Sequence, residues 1–410
     1  MNRRVVITGI GAVTPIGNSA PAYFDGLRSG RCGIGPITRF DATDYKAKVC
    51  AEVKDFDPSA CFDTLSRRKT DLYVQYAVCA AEEAVKDSGI LGQVDEDQLG
   101  VYVGSGVGGI NTNCEEQERL QKGGPRMVSP HFVPKMIINI AAGQIAIRFH
   151  AHGPAMCVST ACATGSTAIG EAYRAIKDGY LTAVISGGTE ASVNQLAIAG
   201  FINCMALSQS TDPDAASLPF DKRRGGFVLG EGAAILVLEE YEHAVNRGAK
   251  IYAEVCGYGA TCDAHHVTAP DPTATQTIRA IAQAMEGVDY DPARTYVNAH
   301  GTGTKMNDKV ETLAFKSFFG EGASQVHISS TKSMTGHMLG AAGAAEALAC
   351  VLALQEDLVP PTIHLNEPDP ELDLNYTPNE AVHTPIDVAV STSLGFGGHN
   401  TCLVLKKVTQ

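Results

Sequence analysis

Short apolar runs stopped by glycine alternate along this chain with longer stretches whose apolar residues recur at helical spacing. Residues 4–8 and 99–103 read as strands running into glycine-rich turns, and residues 73–87 between them read as a helix. Residues 155–158 are another short apolar run, after which 166–178 (STAIGEAYRAIKD) return to helical spacing. Residues 181–186 lead as a strand into Gly-Gly-Thr-Glu, 208–219 are a polar loop, and 226–240 (GFVLGEGAAILVLEE) predict a hairpin of two β-rich runs around Gly-Glu-Gly.

From residue 251 the order begins again. IYAEVCGYG parallels RVVITGIG, and TYVNAHGTG parallels GVYVGSGVG. HISSTKSMTGH with a helix at 341–355 parallels MCVSTACATG with its own helix, and VSTSLGFGGHNTCLVLKK closes as a hairpin. Strands alternating with helices imply an α/β protein built of βαβ units on parallel sheets. The recurrence implies two similar halves, 1–250 and 251–410, related by a pseudo-twofold axis.

The turn at 159–165 places Cys162 between a strand and the start of a helix. Unpaired N–H groups and the positive end of the helix dipole favour an anion there, so the position predicts a depressed thiol pKa and donors for a developing oxyanion. Small neighbours (Ser159, Thr160, Ala161, Ala163, Gly165) let a carbonyl approach the backbone, as in a nucleophile elbow. If the halves are related by symmetry, the loops carrying His300, Lys332 and His337 face the same cleft as Cys162. A cysteine with distant histidines is the arrangement of a covalent acyl-transfer site.

Composition narrows the setting. The 410 residues are 19% charged and 44% hydrophobic, as in an ordinary globular protein. The 12 cysteines show no CxxC pair, which predicts reduced thiols and a cytoplasmic location. The longest apolar run, 136–147, is too short to span a bilayer and is flanked by Lys135 and Arg148, and the N-terminus reads as a first strand rather than a signal peptide. A net charge of −13 argues against nucleic acid, and it means that any acidic partner needs a local basic patch. Gly104-x-Gly106-x-x-Gly109 fits a dinucleotide fingerprint formally, but no strong helical pattern opens on it and no suitably placed acidic residue follows. His265 and His266 point apart on an extended chain and read as a solvated loop.

With Cys162 in STACATG, His300 in NAHGTGT, Lys332 and His337 in STKSMTGHMLGAAG and Phe396 in SLGFGGHN, the chain resembles the β-ketoacyl-acyl-carrier-protein synthases of the thiolase fold, nearest to their synthase II branch. The resemblance runs from Val5 to Leu405. It implies duplicated βαβαβαββ halves in a layered αβαβα sandwich, and a decarboxylating condensation of acyl- with malonyl-carrier protein in fatty-acid elongation. Cys162 would carry the acyl group, the N–H groups of Cys162 and Phe396 would form an oxyanion hole, and His300 and His337 would polarise the malonyl thioester. Lys332, with Glu311 as its partner, would give electrostatic support.

The resemblance further matches Thr302 and Thr304 to pantetheine contacts, Phe396 and Phe201 to gating aromatics, and Val107 to a pocket wall. Glu311 is counted with these substrate-side residues. Asn298, Glu346 and Ser391 match a structural site for a monovalent cation, Na+ or K+. Arg67, Arg68, Lys69 and Arg126 match a docking patch for the acidic acyl carrier protein, which brings its own phosphopantetheine, so no dissociable cofactor is implied; the fold implies a homodimer. Met205 stands where an arginine is often found, Gly225 where a polar residue is usual, and Gly303 and Lys305 replace the usual serine and proline. HGTGT is equally at home in polyketide ketosynthases, which stay open as an alternative. A thiolase would carry a second cysteine where His337 stands, a synthase III pairs one histidine with an asparagine, and a chain-length factor lacks the cysteine.

Overall fold

The computed structural model describes residues 3–408. Ten strands form the central sheet: β1 (Val5–Val13), β2 (Leu99–Gly104), β3 (Ala155–Met156), β4 (Ala183–Glu190), β5 (Gly232–Glu240), β6 (Ala253–Cys262), β7 (Thr295–Asn298), β8 (His327–Ser329), β9 (Val388–Gly395) and β10 (His399–Lys406). The helices used below are α1 (Leu72–Ser88), α2 (Ile110–Gly123), α3 (Ile140–Phe149), α4 (Thr164–Lys177), α5 (Gln195–Asn203), α6 (Thr275–Ala284), α7 (Lys305–Phe319), α8 (Lys332–Thr335) and α9 (Ala342–Glu356).

The spatial order is β8-β7-β9-β10-β6-β1-β5-β4-β2-β3. Counted outward from the centre, the first-half strands run β1-β5-β4-β2-β3 and the second-half strands β6-β10-β9-β7-β8, the same order twice. The halves meet where β1 pairs antiparallel with β6, Val6 opposite Glu254. Each half mixes directions. β2, β3 and β4 run parallel while β5 pairs antiparallel with β4 and β1, and β7, β8 and β9 with β10 repeat this.

Inner and outer faces alternate along each strand with period two. On β5, Ile235 and Val237 join the core under α1 and α3, whereas Leu236 and Leu238 join the central core around α9. Both faces are dry, which explains the unbroken apolar runs in the sequence. Central helices α4 and α9 lie between the half-sheets, α1 and α3 cover one outer face, and α6 and α7 cover the other. This is the five-layer αβαβα sandwich. The stretch Leu339–Glu356 is long and apolar enough to cross a bilayer, yet 89% of it is buried inside the fold.

A pair of glycines sets the outer helix of each half. A Cβ on Gly9 or Gly11 would lie 2.2 Å from Ala84 O or 2.0 Å from Ala80 O of α1, and one on Gly257 or Gly259 would lie 1.8 Å from Ala284 O or 1.9 Å from Ala280 O of α6. Only glycine lets helix backbone rest on the strand at that distance. The matching ITGIG and VCGYG segments are therefore the same packing device used twice.

Two sequence expectations fail. Residues 388–406 form the predicted hairpin, with Gly395 opposite His399, but 226–240 do not. Only Gly232–Glu240 is a strand, and the preceding segment leaves the sheet to make single bridges from Phe227 to Leu207, Gly230 to Ala51 and Leu229 to His337. Gly226, at φ +147°, turns the chain aside where a Cβ would meet Leu207 backbone at 2.4 Å. A helix does open on the Gly104–Gly109 turn, namely α2. The turn is nevertheless no phosphate cradle, because Glu190 at the end of β4 fills it: its carboxylate accepts from Gly106 N (2.9 Å), Val107 N (3.3 Å) and Ser105 Oγ (3.1 Å).

Candidate active site

Cys162 sits on a single 3-10 turn, Ala161–Ala163, between β3 and α4. Ala161 holds φ +50°, a left-handed conformation that costs a non-glycine residue energy and marks a tight elbow. The β9–β10 loop closes over it: a Cβ on Gly395 would stand 2.5 Å from Thr160 O, and the Phe396 N–H lies where it favours a charged Cys162 sulfur. The predicted depressed thiol is corrected here. Burial pushes the Cys162 thiol up to about 12, against the opposing pull of the Lys332 charge and the Phe396 N–H. A buried anion costs more than one N–H and one nearby ammonium return, so the resting group is a thiol.

His300 and His337 face one another across the same cavity, which has a volume of about 500 Å³ and is also lined by Cys162 and Phe396. Their ring centroids are 5.2 Å apart at 85°. His300 follows β7 on a loop whose backbone is gripped by the Glu311 carboxylate, with His300 N at 2.8 Å and Gly301 N at 2.6 Å. His337 follows α8, and its N–H donates to Val228 O at 2.7 Å while Gly230 N donates to His337 O at 2.9 Å. The segment that left the sheet is thus the bed of the second histidine, and Phe227 meets the His337 ring edge-on at 5.0 Å. Burial first, and then the Lys332 charge, hold both imidazoles far below the usual histidine range, so both are neutral; His337 depresses His300 further.

Lys332 is buried behind the cavity and does not line it. Its ammonium pairs with Glu346 of α9, not with Glu311 as the resemblance implied. Glu311 neither lines the cavity nor reaches the ammonium: its carboxylate is saturated by His300 N, Gly301 N, the Thr392 hydroxyl (2.9 Å) and the Asn307 amide (2.8 Å). It orients the loop that presents His300. Asn298 and Ser391 are register partners on β7 and β9, and the helix carrying Glu346 packs on both strands. Asn298 Oδ1, Glu346 Oε2 and Ser391 Oγ are each buried without a partner. Three orphaned hard oxygens, one of them anionic, are a donor set that fits Na+ or K+.

Thr302 and Thr304 line the cavity and share a hydrogen bond at 3.0 Å. Phe201 and Val107 are not brought to its wall. Phe201 packs on Phe227 at 5.6 Å, and Val107, 38% exposed, rides on the Glu190-filled turn. Arg67, Arg68 and Lys69, at the end of a short helix, and Arg126 are exposed and form no ion pair among the described residues. Lys305 and Met205, noted in the sequence only as departures, lie exposed at the cavity rim. The sequence reading passed over Glu190, which besides the turn accepts from Gly340 N (3.1 Å) and so ties it to the entry of α9. Its signal was the acid closing the strand 181–190, which only a fold could connect to the turn.

Proteins of known assignment share this chain nearly end to end. The "3-oxoacyl-[acyl-carrier-protein] synthase 2" of Synechocystis sp. is 50% identical over 99% of this chain and 98% of its own length. Those of Coxiella burnetii and Staphylococcus aureus are 46% and 47% identical, covering 99% of each chain. Among solved structures, a β-ketoacyl synthase from Burkholderia phymatum superposes with a TM-score of 0.91 at 35% identity, covering 99% of this chain and 100% of that one. A type II PKS ketosynthase, solved in complex with its acyl-carrier protein and bound to the hexaketide, gives 0.92 at 33%, covering 100% of both. Residues 2–244 match the family described as "Beta-ketoacyl synthase, N-terminal domain" and residues 252–366 its C-terminal domain. With the elbow thiol and paired imidazoles in the places described above, the chain belongs to the β-ketoacyl synthase family.

Proposed function

We propose that the chain performs the decarboxylating Claisen condensation of fatty-acid elongation, converting acyl- and malonyl-[acyl-carrier protein] to 3-oxoacyl-[acyl-carrier protein] and CO2. The observation that carries the reading is a pair of neutral imidazoles, 5.2 Å apart, sharing one cavity with an elbow thiol. Full-length identity of 46–50% to proteins named for this reaction supports it over a polyketide pathway, since the type II PKS ketosynthase matches at 33%.

Cys162 Sγ attacks the acyl thioester, and its proton leaves with the departing carrier thiol. The oxyanion forms against the N–H groups of Cys162 and Phe396, while the Lys332 charge favours the sulfur as it becomes anionic. Malonyl thioester then replaces the departed carrier. His300 and His337 donate hydrogen bonds to its carbonyl oxygen, the bond to the carboxylate breaks, and CO2 departs as its electron pair becomes an enolate. The enolate carbon attacks the acyl-Cys162 carbonyl, the thiolate is expelled, and it takes one proton from solvent to restore the thiol. Neutral donors suit this step, because they stabilise charge that appears only in the transition state without first trapping the carboxylate.

Thr302 and Thr304 fit the role of pantetheine contacts, being hydroxyls on the cavity wall. Arg67, Arg68, Lys69 and Arg126 supply unpaired positive charge suited to an acidic carrier on a chain of net charge −13. A homodimer is favoured by β3, whose exposed Ala155 and Met156 end the sheet with one edge open. Twelve free thiols suit the reducing cytoplasm. A bound Na+ or K+ would be held by Asn298, Glu346 and Ser391; it would neutralise the Glu346 oxygen that Lys332 leaves unpaired.

Incubating the protein with acyl-carrier thioester tests the scheme. Peptide mass spectrometry is expected to find the acyl group on Cys162, and His300→Ala or His337→Ala to abolish condensation while acylation persists. Acyl label on any other residue, or full condensation in either variant, overturns the scheme.

A further inference from the structure

Away from the active site, three loops bring together Cys32, Asp214 and His364. Among the described residues, this is the one group of His, Cys, Asp or Glu side chains whose donor atoms all lie within 4.8 Å of one another in a metal-like cluster. Cys32 and His364 are half-buried and Asp214 is exposed. His364 Nε2 stands 3.4 Å from Asp214 Oδ1, and its Nδ1 is buried without a partner. His364 also holds φ +64°, a conformation a histidine adopts only where its surroundings impose it.

We propose that Cys32, Asp214 and His364 bind a borderline divalent cation of the zinc(II) class, with the fourth position taken by water or by neighbouring Asp212. A thiolate, an imidazole and a carboxylate are the three donor types zinc accepts, and one of each selects it over Mg²⁺ or Ca²⁺, which want oxygen alone. Zinc bonds of about 2.0–2.3 Å set tetrahedral donor separations of roughly 3.3–3.8 Å. Donors no farther apart than 4.8 Å reach these with small rotations, chiefly of exposed Asp214. Binding converts the Cys32 thiol to a metal thiolate and releases one proton to solvent. The two aspartates are matched by two cations, Lys54 near Cys32 and Arg223 near His364, so the thiolate supplies the excess negative charge that holds the ion.

The placement gives the ion a structural consequence. Beside each ligand, its loop is tied to the same short helix α8: Gly33 N donates to Met334 O at 2.8 Å, the Ser217 hydroxyl to Lys332 O at 2.8 Å, and Ile363 N to the Ser333 hydroxyl at 3.0 Å. A cation clamping the three loops braces the element that carries Lys332 and leads into His337.

Cobalt(II) is the probe, because a cobalt–thiolate bond absorbs strongly in the near ultraviolet. The full chain titrated with cobalt(II) is expected to show a one-equivalent thiolate band that zinc(II) displaces, is kept in Cys162→Ser, and is lost in both Cys32→Ser and His364→Gln. In the unsubstituted protein, zinc is expected to slow alkylation of Cys32 by iodoacetamide at least tenfold, a readout that needs no variant to fold. No band at tenfold excess of cobalt, a band that survives either ligand substitution or disappears in Cys162→Ser, or an alkylation rate indifferent to zinc overturns the assignment.

Discussion

Replacing Glu311 with glutamine separates the loop-orienting role found here from the lysine-pairing role the resemblance implied. The carboxylate accepts four hydrogen bonds, two at each oxygen: His300 N and the Thr392 hydroxyl at one, Gly301 N and the Asn307 amide at the other. Glutamine keeps the shape but exchanges one acceptor for an NH2 donor. Whichever way the amide is turned, one backbone N–H of the histidine loop then faces a donor. A buried donor left unmet costs about 1–3 kcal/mol. That loss lowers global stability, and because the N–H that faces the new donor turns away from it, the loop shifts and His300 moves with it; a displacement of about 1 Å at a catalytic group costs on the order of 100-fold in rate. The elbow carrying Cys162 belongs to the other half of the chain and does not touch Glu311. Glu311→Gln is therefore expected to lower condensation by about 100-fold and unfolding free energy by about 2 kcal/mol, with Cys162 acylation little changed. Quenched-flow mass spectrometry reads acylation, and released CO2 reads condensation. Equal loss of both steps, or condensation within about threefold of normal, would refute the loop-orienting role.

Three further outcomes follow from the electrostatics. Both histidines are depressed from 6.5, so the unfolded chain binds protons the folded one does not, and stability is lost as pH falls through that value. Two buried neutral imidazoles amount to about 3 kcal/mol between pH 7.5 and 5.5; urea unfolding should show that difference between the natural chain and a His300→Asn/His337→Asn double variant, and parallel pH profiles would refute it. Lys332→Met leaves Glu346 buried without its partner and should destabilise by about 3–5 kcal/mol, most of which returns when Glu346→Met is added; calorimetry showing additive losses would dissolve the pair. Arg67→Glu with Arg68→Glu should raise the KM for carrier-bound substrate about tenfold and leave turnover of a small pantetheine thioester unchanged, and an unaltered KM would remove these arginines from the docking surface.

Much of the fold was legible because its signals are local. Period-two and helical spacings, the glycine stops and the doubled ITGIG and VCGYG segments are carried by neighbouring residues, and so is the strand-to-helix elbow at Cys162. The repeat then placed His300 and His337 opposite that elbow, since matched loops of matched halves face a common cleft. What stayed hidden was the choice of partner. Glu311 and Glu346 are both acids on helices near the site, and only the packing of α9 between the half-sheets sends Glu346 to Lys332 and leaves Glu311 to the histidine loop. The segment before β5 has the composition of a strand, but long-range contacts at Leu207, Ala51 and His337 draw it out of the sheet.

The sequence by itself determined the class of fold, its duplication and which thiol and which two imidazoles come to share one cavity. Tertiary structure alone decided the charge states. A helix start favours a thiolate locally, but burial is a sum over every surrounding layer, and in this fold that sum keeps Cys162 protonated and both histidines neutral at rest.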